Sequence, residues 1–171
     1  MIHCDIKLCV GCRMCEVSCS SGHFGAVSPS LARIRVAKID ETGIDLAIAC
    51  FSCTERPCLE CPTEALSVGP MGQIVLDGDY CDGCGICFDA CPVGAIGFYE
   101  EQPLFCDLCD GNPTCVQNCP SGALSNKEDE EVSLAAYMDF QGTPGQRRVH
   151  FANLLARPLR EEWAAGRRVD S

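Results

Sequence analysis

The sequence predicts an α+β fold built from a duplicated module, and three observations predict it. Short segments alternate apolar and polar residues with period 2, four groups of four cysteines recur along the chain, and the last three groups each end in a Cys-Pro step followed by Ala-Leu or Ala-Ile. The chain has 171 residues, 17 of them cysteine, and a formal net charge of −11. Aromatics make up 6%, and cysteine itself inflates the 47% hydrophobic share. The length suits one domain or two small ones. So thin a supply of ordinary core residues calls for another source of cohesion, either disulfides or metal.

Each element follows from its local pattern. Ile2, Cys4 and Ile6 alternate with His3 and Asp5 and read as a first strand. Arg33–Val36 and Ile44–Ile48 form the arms of a β-hairpin inserted over 31–49, with Asp40–Gly43 as its turn. Gln73–Leu76 and Ile96–Tyr99 flank the third cysteine group and read as another short strand pair. Each Cys-Pro-x-x-Ala stretch reads as a short helix with Pro at its first position. The charged run 127–131 marks a boundary between a body, 1–126, and a C-terminal tail, 127–171. In the tail, Phe151, Leu154 and Leu155 have helical spacing, while Pro158 and Gly166 bracket a short helix carrying Leu159 and Trp163.

The cysteines carry the chemistry. Group one is Cys9, Cys12, Cys15 and Cys19; group two is Cys50, Cys53, Cys58 and Cys61. Group three is Cys81, Cys84, Cys87 and Cys91; group four is Cys106, Cys109, Cys115 and Cys119. An odd total, tight C-x2-C clustering and an N-terminus without an apolar signal core argue against a disulfide framework. Metal thiolates in a reducing compartment, the cytoplasm, are expected instead. Group two taken alone resembles half of a zinc ribbon. Groups one and three have the C-x2-C-x2-C-x3-C spacing in which three thiolates surround one iron–sulfur cube and the fourth reaches the other cluster of a pair. Gly11, Gly83 and Gly85 stand beside ligands, where a missing side chain lets backbone N–H groups approach sulfur.

Composition excludes other classes. Residues 1–126 hold 6 basic against 16 acidic side chains, which removes nucleic acid as a partner. There is no apolar run long enough for a membrane span. No nucleotide fingerprint or hydrolase motif is present, so a non-catalytic role is expected. His3, His23 and His150 read as surface or strand residues, and Cys4, outside every group, as a small hydrophobe packed with Ile2 and Ile6.

The stretches CTERPCLECPTEAL (53–66), GQIVLDGDYCDGCGICFDACPVGAI (72–96) and CDLCDGNPTCVQNCPSGAL (106–124), with Cys9–Cys19 and the hairpin, resemble four-cluster ferredoxin-like electron-transfer subunits of the dimethyl sulfoxide reductase iron–sulfur type. The short form is similar to partners of tungsten aldehyde oxidoreductases, formate-oxidising complexes and hydrogenases. The resemblance implies two bacterial-ferredoxin-like modules with four 4Fe-4S clusters and crossed ligation. Cys9, Cys12, Cys15 and Cys119 would hold cluster 1, and Cys106, Cys109, Cys115 and Cys19 cluster 2. Cys50, Cys53, Cys58 and Cys91 would hold cluster 3, and Cys81, Cys84, Cys87 and Cys61 cluster 4. The chain departs from the pattern at Ser20, where the other groups carry Pro, before Cys61, where two residues stand in place of the usual three, and between Cys109 and Cys115, where only five residues stand and a surface loop of the larger members is absent.

The function implied is an electron relay between a catalytic tungsten or molybdenum subunit, such as an aldehyde oxidoreductase, and a second redox partner, a flavin subunit or ferredoxin-like acceptor. The alternative is a stand-alone polyferredoxin carrier that self-associates into longer chains. Export alongside a signal-bearing partner is the other route to be weighed against a cytoplasmic location. The tail has two readings: an arm docking on another subunit through Arg157, Arg160 and Trp163, or a cover folded over the body's own clusters.

Overall fold

A computed structural model describes residues 1–127 and 132–166. The charged boundary run falls largely on 128–131, and Arg167 and Arg168 on the final segment, both outside the described residues. The body runs β1 (Ile2–Cys4), α1 (Met14–Phe24), β2 (Ile34–Ile39), β3 (Ile44–Ala49), β4 (Leu66–Val68), β5 (Ile74–Leu76), α2 (Ile86–Ala90), β6 (Gly97–Tyr99), β7 (Gln102–Leu104), α3 (Thr114–Gln117) and β8 (Leu124–Asn126). The tail contributes α4 (Pro144–Gly166). Among the described residues strands pair only in twos, all antiparallel: β1 with β8, β2 with β3, β4 with β5 and β6 with β7. A lone two-stranded sheet is marginal in water, so each pair depends on what packs against it.

The hairpin β2–β3 is the longest pair and the centre of the packing. Its register sets Ile34 opposite Ala49 and Ile39 opposite Ile44. One face buries Ala37, Ile39, Leu46 and Ile48 against Val93, Ile96, Phe105 and the tail helix. The other buries Ile34, Ala47 and Ala49 beside Ile2, Leu108, Leu124 and the thiols of Cys15, Cys19 and Cys115. Burial on both faces is why β3 is almost continuously buried instead of alternating.

Three sequence expectations are corrected. Gln73–Leu76 and the strand starting near Ile96 do not pair with each other. Ile74–Leu76 folds back on Leu66–Val68, and Gly97–Tyr99 on Gln102–Leu104. The first return is a tight loop in which Gly72 has φ +76°, and the second places Glu100 and Glu101 at φ +47° and +62°. The Cys-Pro-x-x-Ala stretches are turns that enter strands, not helices. Glu64, Gly94 and Gly122, each two residues after the proline, have φ of +55°, +61° and +65°, a left-handed conformation that stops a right-handed helix at once. The helices lie ahead of the prolines instead: α1 carries Cys15 and Cys19, α2 carries Cys87, and α3 carries Cys115.

The third correction is in the tail, where Pro158 does not begin a helix. It sits exposed within a single 23-residue helix, α4. A proline there removes one hydrogen bond, yet the helix continues because Ala156 and Leu159 on either side are buried against the body. Phe151 makes edge-on contacts with Phe51 and Tyr137 at 5.4 and 4.8 Å between ring centroids. Among the described residues, no helix is long and apolar enough to cross a membrane.

Candidate iron–sulfur site

The pairing of the first and last body strands brings distant cysteines together. Cys9, Cys12 and Cys15 line a pocket with Cys119. A second is lined by Cys81, Cys84, Cys87 and Cys61. A third is lined by Cys50, Cys53, Cys58 and Cys91. The remaining four also meet: burial and then the charges of Cys106, Cys19 and Cys109 push the Cys115 thiol up to about 12. Each set draws three cysteines from one group and one from another. Cys61 reaches its cavity despite the short spacing before it.

The cavities suit a compact inorganic ligand. Their walls are sulfur, backbone and mostly small or apolar side chains, with Arg13 on the first and Asp82 on the second, and with Gly11, Gly83 and Gly85 in the left-handed region at φ +60°, +71° and +75°. A Cβ on Gly83 would lie 2.7 Å from the Glu101 carbonyl oxygen, so only glycine fits there. Backbone N–H groups point at sulfur: Arg33 N–H donates to Cys19 Sγ at 3.2 Å and Ala95 N–H to Cys91 Sγ at 3.2 Å. In Cys119 burial is outweighed by the Ser121 hydroxyl and the N–H groups of Leu124, Ala123 and Ser121, which together hold the thiol below its ordinary range. Sulfur that accepts several N–H bonds inside an apolar shell is the donor environment of a 4Fe-4S cluster.

The sets are also neighbours of one another: Cys115 stands within electrostatic reach of Cys15, Cys50 of Cys106, and Cys87 of Cys58. Most thiols are buried or half-buried. The two exposed ones are Cys12, in the first set, and Cys84, in the last. Exposed apolar side chains surround both, Leu8, Val10 and Met14 near Cys12, and Tyr80 and Ile86 near Cys84.

Cys4 packs partly against both cores, as a small hydrophobe would, but it has a polar contact as well. Its thiol shares a hydrogen bond with Cys9, which raises the Cys4 pKa and lowers that of Cys9 to about 6. His3 lies in β1 opposite Ser125, and His150 stacks on Phe140 at 4.0 Å. His23 is more engaged than a surface residue. Its Nε2 lies 3.1 Å from both Asp107 carboxylate oxygens, and Arg33 pairs with the same carboxylate. Local spacing carries no trace of that trio, because it joins α1, the hairpin and the group-four loop.

The tail residues are divided. Arg157 and Trp163 are exposed, the latter at 41%. Arg160 donates to the carbonyl and side-chain oxygens of Asn153 in its own helix, at 2.9 and 3.3 Å. The buried face of α4 rests on the hairpin and on the segment after Cys91.

Residues 74–97 match the 4Fe-4S binding domain family. The chain is 44% identical over 86 residues to the aliphatic sulfonate oxidoreductase polyferredoxin-like subunit of Pyrococcus furiosus, a match covering 49% of each chain. It is 36% identical over 101 residues to the formate dehydrogenase iron–sulfur subunit of Wolinella succinogenes, covering 56% of this chain and 50% of that one. The chain thus spans about half the length of these curated relatives. A solved structure of the active site complex BamBC of benzoyl coenzyme A reductase is 31% identical, covering 92% of this chain and 90% of that one at a TM-score of 0.46. So loose a superposition places no residue on another.

Proposed function

We propose that this chain, a ferredoxin-like iron–sulfur protein similar to the electron-transfer subunits of oxidoreductase complexes, relays single electrons through four 4Fe-4S clusters in a duplicated two-module body. The four clusters are held by the four sets that the resemblance implies: Cys9, Cys12, Cys15 and Cys119; Cys19, Cys106, Cys109 and Cys115; Cys50, Cys53, Cys58 and Cys91; Cys61, Cys81, Cys84 and Cys87. The observation that carries the reading is the convergence of three cysteines of one group with one of another around each of three pockets, with Cys12 and Cys84 exposed in two different sets. A relay needs a buried middle and two accessible termini. In the cytoplasm one end would serve a catalytic subunit, a tungsten or molybdenum oxidoreductase such as an aldehyde oxidoreductase, and the other a flavin subunit or ferredoxin-like acceptor.

The chain's own part is insulation and placement, and no bond of a substrate is made or broken on it. Native purification with metal and sulfide assay tests the reading. About sixteen iron and about sixteen sulfide per chain are expected from four cubes, together with a co-eluting large subunit that carries tungsten or molybdenum. Zinc in place of iron, or iron for only two clusters, would overturn it.

A further inference from the structure

Charged side chains that belong to no cysteine group meet where α1, the hairpin and the tail helix converge. Glu16 on α1 is 3% exposed, and its Oε1 accepts the Val36 N–H at 2.8 Å. Arg35 on β2 is half-buried and donates to the carbonyl oxygens of Pro29 and Ser30, the latter at 2.8 Å. Arg148 on the first turns of α4 is half-buried and donates to the Gly94 carbonyl oxygen at 2.6 Å. Arg147 beside it donates to the carbonyl oxygens of Asp89 and Cys91, the latter at 3.0 Å. The tail therefore delivers two guanidiniums onto the turn that carries Cys91, whose sulfur already accepts the Ala95 N–H.

We infer that Arg148, with Arg35 behind it, is a positioning charge that raises the reduction potential of the cluster to which Cys91 contributes, so that this site of the relay is easier to reduce than its charge alone would make it. The inference rests on the cluster reading above. A 4Fe-4S cube with four thiolates already carries about two negative charges, and reduction adds a third. A cation fixed nearby in partly buried surroundings lowers the cost of that electron, and salt screens it far less than it would a surface charge. Glu16 opposes the effect from the same seam, but one carboxylate faces two guanidiniums. Arg148 is fixed to the Gly94 carbonyl oxygen, three residues after Cys91, and Arg147 to the Cys91 carbonyl oxygen itself, so the charge stands on the turn whose sulfur would ligate the cluster. Carbonyl clamping alone would need no charge, and that distinction sets the experiment.

The test is a dithionite redox titration of the iron-loaded full chain, followed by electron paramagnetic resonance, with iron content measured on every sample. Arg148→Gln is expected to move one midpoint negative by a threefold or greater change in the one-electron equilibrium, about 28 mV at 59 mV per tenfold, leaving the others in place. Arg148→Lys, which keeps the charge and loses the planar fork, is expected to retain most of the wild-type midpoint. Glu16→Gln, whose amide oxygen can still accept from Val36, is expected to shift a midpoint positive. Unmoved midpoints in Arg148→Gln, or an equal shift in Arg148→Lys, overturn the inference. If Arg148→Gln loses iron, Arg35→Gln, which leaves the Arg148 bond to Gly94 in place, decides, and no negative shift there overturns the inference. A wild-type chain without its iron would instead defeat the cluster reading itself.

Discussion

Gly94 shows how one residue can carry an attachment between distant parts of the chain. It has φ +61°, and a Cβ there would overlap the Pro144 carbonyl at the start of α4. Gly94→Ala is expected to cost roughly 1–3 kcal/mol from left-handed strain alone, with the clash added, and to show as a lower melting temperature of the iron-loaded chain. Glu55 ties the same tail down elsewhere by accepting hydrogen bonds from the Ser133 hydroxyl and the Leu134 N–H, the latter at 2.8 Å. The bond from Ser133, then that from Leu134, lowers its pKa to about 2. A depressed carboxylate contributes stability that is fully present above its ordinary value near 4.5 and is lost as pH falls through about 2. Hydrogen-exchange protection at Leu134, corrected for intrinsic rate, should therefore stay flat from pH 8 to 5 and fall in Glu55→Gln throughout that window. A decline between pH 8 and 5 in the unaltered chain would remove Glu55 from this role. Residue type announced little of this. Gly94 stands in a repeated Pro-x-Gly-Ala pattern, but nothing near it in sequence points to Pro144, and Leu108, Cys109 and Asp110 adopt three successive positive φ values without a glycine among them.

Elements were legible where one local period governs them. The hairpin over 31–49 forms where alternation and its Gly43 turn place it, because its register is set within a few residues of the turn. The short strands were harder. Leu66–Val68 finds its partner across the loop at Gly69–Gly72, nearer in sequence than any strand beyond the third cysteine group. Glu100 and Glu101 make a two-residue turn with both φ positive, a geometry usually advertised by Asn-Gly. In α4 the helical spacing of Phe151 and Leu155 is visible in sequence, but the length is not, since Pro158 reads as a boundary and only tertiary burial carries the helix past it. Phe151 is 4% exposed and wedged between Phe51 and Tyr137. Phe151→Ala should destabilise the chain by roughly 3–5 kcal/mol, read as faster loss of iron to a chelator than in a Leu155→Ala control, whose side chain is 41% exposed.

At the scale of the whole molecule, the cysteine groups were countable from sequence, and their meeting across the fold is what the strand pairing accomplishes. Spacing alone could tell three thiolates of one loop from the fourth, but the meeting of the sets and the exposure of Cys12 and Cys84 depend on contacts between segments far apart in the chain. Six of the sixteen grouped thiols are among the buried apolar residues, Cys15, Cys19, Cys58, Cys87, Cys91 and Cys115. Four two-stranded sheets around such a centre have little else to hold them. Stripping the metal with a chelator under anaerobic conditions is therefore expected to abolish cooperative unfolding by circular dichroism, and re-addition of iron and sulfide to restore it. A cooperative transition that survives complete iron removal would show that the hairpin and α4 suffice alone.

The closure of β1 on β8 also imposes a timetable on biosynthesis. A ribosome releases the chain N-terminus first, so Ile2–Cys4 and all of group one emerge long before Leu124–Asn126 exists to pair with them. Groups two and three, by contrast, lie next to each other in sequence and share the two cavities lined by Cys61 and Cys91. On the four-cluster proposal, maturation is expected to start from the inside of the sequence: the central pair could be filled while the outer pair still waits for its last strand. Group one would then be made before the other three groups and closed in after two of them, and it would have to stay reduced and unclaimed by stray metal for the whole interval.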